Sequence, residues 1–196
     1  MVLIKDPSLE SLPDSLPDGW VHLDELANAL DSVEMATHFL ENLPDPYRWK
    51  WAVMAFHQAI YGFAICAVRG TDSRSVLEPA DTKGERRLIS VWKALERAQN
   101  PAFLWNPGDP LTLSDDEKQA IDTLFDEYRN GLAHFRPAGW SIELLAIVDV
   151  LRLATAVLRR LAVAQGLVLY RDKNDEVRVS VALDSLEGLL AAYAPT

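Results

Sequence analysis

A single cysteine, Cys66, excludes an intramolecular disulfide and with it every disulfide-stapled architecture. Basic residues are also in short supply. Nineteen Lys and Arg face 29 Asp and Glu, for a formal net charge of −10, which at first argues against a nucleic-acid partner, because phosphate binding usually needs a basic face. The chain contains no phosphate loop, no dinucleotide glycine fingerprint, no paired Cys or His–Glu zinc spacing and no calcium loop, so neither a metal nor a cofactor is expected. The first twenty residues lack a basic start followed by an apolar run, so a secretory leader is not predicted, and a reducing, cytoplasmic setting is expected.

One long apolar run is present. Trp51 to Val68 covers eighteen residues without Asp, Glu, Lys or Arg, about the minimum for a membrane span. It carries His57, Gln58 and Gly62, whose polar groups are costly in hydrocarbon, so the predicted role is the central helix of a bundle rather than a membrane segment. A hydrophobic content of 49% over 196 residues is enough to bury a core of ordinary size.

The acidity is concentrated. Residues 1–45 hold one base, Lys5, and ten acids, a sum of −9, whereas the remaining 151 residues sum to −1. Within that acidic region the tandem Ser11-Leu12-Pro13-Asp14 and Ser15-Leu16-Pro17-Asp18 predicts a flexible, Pro-rich arm over residues 1–20.

Apolar residues recur at helical spacing through the rest of the chain. Leu23, Leu26, Leu30, Val33, Leu40 and Leu43 predict a first helix over about 21–43, ended by Pro44-Asp45-Pro46. A second helix is predicted from Tyr47 to Arg69, with Gly70 as a left-handed C-terminal cap, and a third over 85–99. Ser114-Asp115-Asp116-Glu117 is a capping box opening a fourth helix, on which Ile121, Leu124, Phe125, Tyr128 and Leu132 are apolar. A fifth runs from near Ser141 to Gly166. The fold class is therefore all-α, an up-and-down bundle of four or five helices over 21–166. Residues 167–196 form a C-terminal appendage. There the β-branched runs Val168–Arg171 and Val177–Ala182, around the turn-prone Asp172-Lys173-Asn174-Asp175, predict a small hairpin and a short helix from Asp184, with a continued helix as the alternative.

Few residues invite chemistry. His22 and His38, on the acidic helix, read as solvent-facing side chains, and His57 as a hydrogen-bonded structural histidine, because a buried imidazole needs a partner. The densest cluster is Tyr128-Arg129-Asn130-Gly131-Leu132-Ala133-His134, near the end of helix four. It sets a permanently charged fork, a carboxamide and an imidazole within six residues. At about 100° per residue Asn130 and His134 share a face, whereas Arg129 stands about 140° from His134. The two converge only if the arginine stem curls back, if Gly131 lets the helix deform, or if a second copy of the chain supplies one of them. Without such convergence, Asn130 and His134 serve equally well as caps for the last turn.

Arg129, the polar Asn130 after it, three further residues and His134, near the end of a bundle helix, resemble the motif of the HEPN superfamily. Phe135-Arg136-Pro137 and Gly139-Trp140-Ser141-Ile142-Glu143 are similar to the hinge that follows it in HEPN-like proteins of prokaryotic mobile elements. The resemblance spans about Arg48 to Leu161; the acidic first helix and the C-terminal appendage depart from it.

The resemblance implies a homodimeric, metal-independent endoribonuclease with Arg129, Asn130 and His134 as catalytic residues. It also implies products with a 2′,3′-cyclic phosphate and a 5′-hydroxyl, and an antidote of nucleotidyltransferase type if the chain acts as a toxin. Arg136 would add a phosphate contact, and Trp140 would either stack a base or pack as a hinge residue. A non-catalytic HEPN-like bundle that binds RNA, a nucleotide or a partner protein is the alternative. A further alternative is a helical interaction module working through its acidic arm and first helix.

Overall fold

The computed structural model describes residues 23–45, 47–70, 72–82, 84–134, 139–170 and 172–193. The acidic arm over 1–20 and Arg136 lie outside the described residues. The fold is all-α: among the described residues there are six principal helices and no strand. They are α1 (Glu25–Asn42), α2 (Tyr47–Arg69), α3 (Val91–Ala98), α4 (Asp115–Asp122), α5 (Leu144–Arg159) and α6 (Lys173–Ala191). Two of them run on through wider, π-type turns, α4 through Thr123–Arg129 into Asn130–Ala133, and α5 through Arg160–Ala164.

Helix α2 is the hub. It packs against α1, α3, α5 and both wide turns, and Phe56, Ile60 and Phe63 on it are fully buried. It is the one described helix long and apolar enough to cross a membrane, and 67% of its apolar window is buried inside the fold. Its closest neighbour is α1, and small residues set that distance. A Cβ added at Gly62 would lie 2.6 Å from the Ala29 side chain, so any larger residue forces the two helices apart. Gly70 ends α2 at φ 46°, a left-handed conformation that glycine adopts without steric strain.

Local signals and outcomes agree at several ends. Asp24 caps α1 by accepting from the Ala27 backbone at 2.8 Å. Ser114 and Glu117 form a complete capping box at the start of α4. Glu117 also receives Arg160 at 2.6 Å, tying the start of α4 to the wide turn after α5. Burial pushes the Glu117 carboxyl up, but hydrogen bonds from Arg160 and Ser114 outweigh it and hold the group below its ordinary value. That contribution to stability is therefore present at neutral pH and is lost as the pH falls through the lowered value.

Two predicted elements differ. Helix three begins at Val91, not near Glu85, because the preceding residues are extended against another loop. Leu88 bridges Leu77, the Ile89 N–H donates to the Val76 carbonyl at 3.0 Å, and Ser90 supplies the cap instead. The hairpin is corrected to a helix: Val177–Ala182 lie inside α6.

The reasons for α6 are local and tertiary. Asp172 caps it through the Asn174 N–H at 2.8 Å, and Asp175 and Glu176 sit where the helix dipole favours acids. Val179, Leu183, Leu186 and Leu190 form a helical stripe buried in the same core as α1 and α5, while the β-branched Val177 and Val181 are left outside. Arg159 of α5 holds Asp184 and Glu187 at 2.7 Å each, and Arg178 holds Glu34 of α1 at 2.9 Å. The segment read as an appendage is thus packed on α1 and α5.

Candidate functional site

The Arg129–His134 cluster occupies the distorted end of α4. In an α-helix the Asn130 N–H would bond the Asp126 carbonyl; here that N–H goes to Glu127. The Asn130 side chain takes the Asp126 carbonyl in its place, donating from Nδ2 at 3.2 Å. The wide turn over Thr123–Arg129 thus ends on a tight i→i−3 bond, with a side-chain amide in place of the backbone donor at the Asp126 carbonyl. Such turns are rare inside helices and recur at functional sites.

The other end of the same carboxamide is engaged too. Arg129 Nη1 donates to Asn130 Oδ1 at 2.9 Å. Asn130 therefore braces the guanidinium and, within one chain, has its amide committed away from the imidazole. His134 closes the helical stretch: its N–H bonds the Asn130 carbonyl at 3.1 Å, its backbone turns extended, and its side chain is exposed. The structure thus joins Arg129 to Asn130 and leaves His134 at the surface one turn on.

Trp140 is placed by Gly131. A Cβ added there would meet the indole at 2.6 Å, so the ring lies directly over the glycine. It also stands 6.3 Å from the Tyr128 ring and is partly buried against the core. The indole is thus packed between Gly131 and Tyr128.

The structure adds two residues that sequence spacing does not connect to the motif. The first is His57 of α2, whose ring lies 4.3 Å from that of Phe125. Burial, and then the Arg129 charge nearby, lower its pKa to about 4, so the imidazole is neutral at physiological pH. Its Nδ1 is buried and bonds to no protein group, contrary to the expected hydrogen-bonded histidine; Arg129 Nε is in the same condition. Gln58, beside it, is exposed. The second is Trp92 of α3, 5.6 Å from Phe125 and 38% exposed. A charge-free run of eighteen residues holding one imidazole is a visible anomaly in the sequence, but its proximity to a residue 72 positions later is not.

Other candidates carry less chemistry. Burial pushes the Cys66 thiol up to about 12, which keeps it protonated and poorly nucleophilic. A concavity of about 320 Å³ between the end of α1, the start of α2 and the end of α6 is lined by Leu40, Glu41, Arg48 and Tyr193 among others, and includes no residue of the motif. Among the described residues no three His, Cys, Asp or Glu side chains are grouped to hold a metal ion. No family model, curated protein or solved structure matches the chain.

Proposed function

We propose that the chain is a HEPN-type endoribonuclease, cytoplasmic and homodimeric, that cleaves RNA without a metal. The observation that carries the reading is the pairing of an exposed imidazole at His134 with an Arg129 guanidinium braced at 2.9 Å by its neighbour Asn130. Imidazole is suited to moving protons near neutral pH, and a fixed guanidinium to holding phosphoryl oxygens.

His134 takes the proton from a ribose 2′-hydroxyl, and that oxygen attacks the adjacent phosphorus. The P–O5′ bond breaks, and the leaving oxygen receives a proton from His134 of the second copy. Arg129 offsets the charge that builds on the phosphoryl oxygens, and Asn130 keeps the fork from swinging away. The products are a 2′,3′-cyclic phosphate and a 5′-hydroxyl, so a strand lacking 2′-hydroxyls is left intact. Arg136 supplies an additional phosphate contact. If the chain acts as a toxin, its antidote is a nucleotidyltransferase-type protein.

The test is cleavage of single-stranded RNA in chelator by the wild type and by folded His134→Ala and Arg129→Ala proteins. Loss of the 2′,3′-cyclic product in both variants supports the reading; equal rates in all three sink it. A second reading, a HEPN-like bundle that binds RNA without cutting it, draws on the commitment of the Asn130 amide to Arg129 and Asp126, which leaves His134 unoriented within one chain. Binding that depends on Arg129, with no turnover, favours that alternative.

A further inference from the structure

Trp92, Phe125 and His57 form a run of ring contacts across three helices, 5.6 Å from the first to the second and 4.3 Å from the second to the third. Phe125 is the buried pivot at 4% exposure, while Trp92 keeps 38% of its surface open. Arg129 follows Phe125 by four residues in the wide turn, where side chains four apart stand nearly one above the other. An open indole and an imidazole are therefore gathered around one phenyl ring, with the Arg129 charge close enough to act on the imidazole.

Packing alone does not call for this arrangement. A leucine at position 57 would fill the same space without burying Nδ1 unpaired, and Arg129 Nε is buried unpaired beside it. With Nδ1 buried and without a hydrogen-bond partner, the neutral ring of this partly buried residue carries its proton better on Nε2. The acidic chain engages few phosphates, so affinity for a nucleic acid has to come from local stacking and one well-placed fork rather than from a charged track.

We infer that this cluster is a one-nucleotide subsite for unpaired RNA, with Trp92 stacking a base, Arg129 gripping the adjacent phosphate and His57 Nε2–H donating to the same nucleotide. The inference rests on RNA being the ligand of the Arg129–His134 motif. It assigns to Trp92 the stacking role expected of Trp140, and it explains why polar nitrogens are tolerated beneath the turn. Duplex RNA is a poor ligand, because a paired base cannot offer its face to an indole.

The test is fluorescence anisotropy of the full chain with a labelled, uncleavable 2′-O-methyl RNA strand of mixed sequence, and with the same strand annealed to its complement. Wild type binds the single strand more tightly than the duplex. Trp92→Leu weakens single-strand binding about tenfold and His57→Phe several-fold, with far-UV circular dichroism unchanged. Folded Trp92→Leu and His57→Phe proteins that bind as tightly as wild type overturn the subsite. If, in that case, His134→Ala still abolishes cleavage of ordinary RNA, the ribonuclease reading survives alone. Trp92-dependent binding by a wild type that cuts nothing leaves the subsite standing and removes the nuclease, and a wild type without affinity for either strand removes the subsite, the nuclease then standing or falling on cleavage of ordinary RNA alone.

Discussion

Helix α6 and the end of α4 use similar residues to opposite effect. In α6 the cap is filled and the apolar stripe is buried. Its Asp184 and Glu187 are paired with Arg159, and Arg178 with Glu34. At the end of α4 the helix widens, Arg129 Nε on it and His57 Nδ1 on α2 are buried without bonds, and His134 stands exposed. In the first region cap, burial and ion pairs act together and override the β-branched run; in the second, polar groups are buried without partners. Such burial is tolerated at sites where a protein binds or reacts, because the groups that destabilise the fold are those that meet a ligand.

The comparison can be broken experimentally, and the largest effect belongs to activity. His134→Ala is expected to lower RNA cleavage by at least about a hundredfold while moving the melting temperature little, since its side chain is exposed. Cleavage by the variant at the wild-type rate would leave α4 without a catalytic role. On the α6 side the order reverses. Leu183→Ala, at a fully buried position, should cost about 3 kcal/mol in urea unfolding and leave the activity per folded molecule unchanged.

Gly131→Ala should cost about 2 kcal/mol, because the new methyl meets the Trp140 indole at 2.6 Å and displaces the hinge. Activity lost beyond the unfolded fraction would show that the hinge also positions Arg129. A smaller effect follows from His57. The ring remains neutral in the folded chain down to pH about 4 but takes up a proton near pH 6.5 once unfolded. The unfolded state thus binds more protons in that interval, and stability falls as the pH drops from about 6.5 to about 4. His57→Leu should remove about 1 kcal/mol of that acid slope, a figure reduced for the part of the ring that meets water. The smallest effect is Asp172→Ala, which removes the α6 cap and should cost under about 1 kcal/mol of thermal stability.

Much of the fold was legible. The limits of α2 at Tyr47 and Arg69, the glycine stop at Gly70 and the capping box at Ser114 were all readable because each depends on contacts within a few residues. What failed did so for long-range reasons. The extended stretch before Val91 depends on pairing with Leu77, and the helix over Val177–Ala182 depends on a core supplied by α1 and α5. β-branched propensity is a weak preference and yields to burial of a four-residue apolar stripe.

The candidate site divides along the same line. Arg129, Asn130 and His134 stood out because they are neighbours in the chain. Asn130 as the brace of Arg129, Trp140 as a lid on Gly131, and His57 and Trp92 beside the motif did not, because each depends on a turn geometry or on packing between helices. The sequence by itself determined a helical bundle up to Gly166, where its longest helix begins and ends, and which few residues can move protons or hold an anion; periodicity, caps and side-chain chemistry are local properties. Only the tertiary structure decided that the C-terminal segment is a helix, that α4 widens before its motif, and that an imidazole on α2 and an indole on α3 flank it. Those outcomes depend on burial shared among residues far apart in the chain, which no local pattern records.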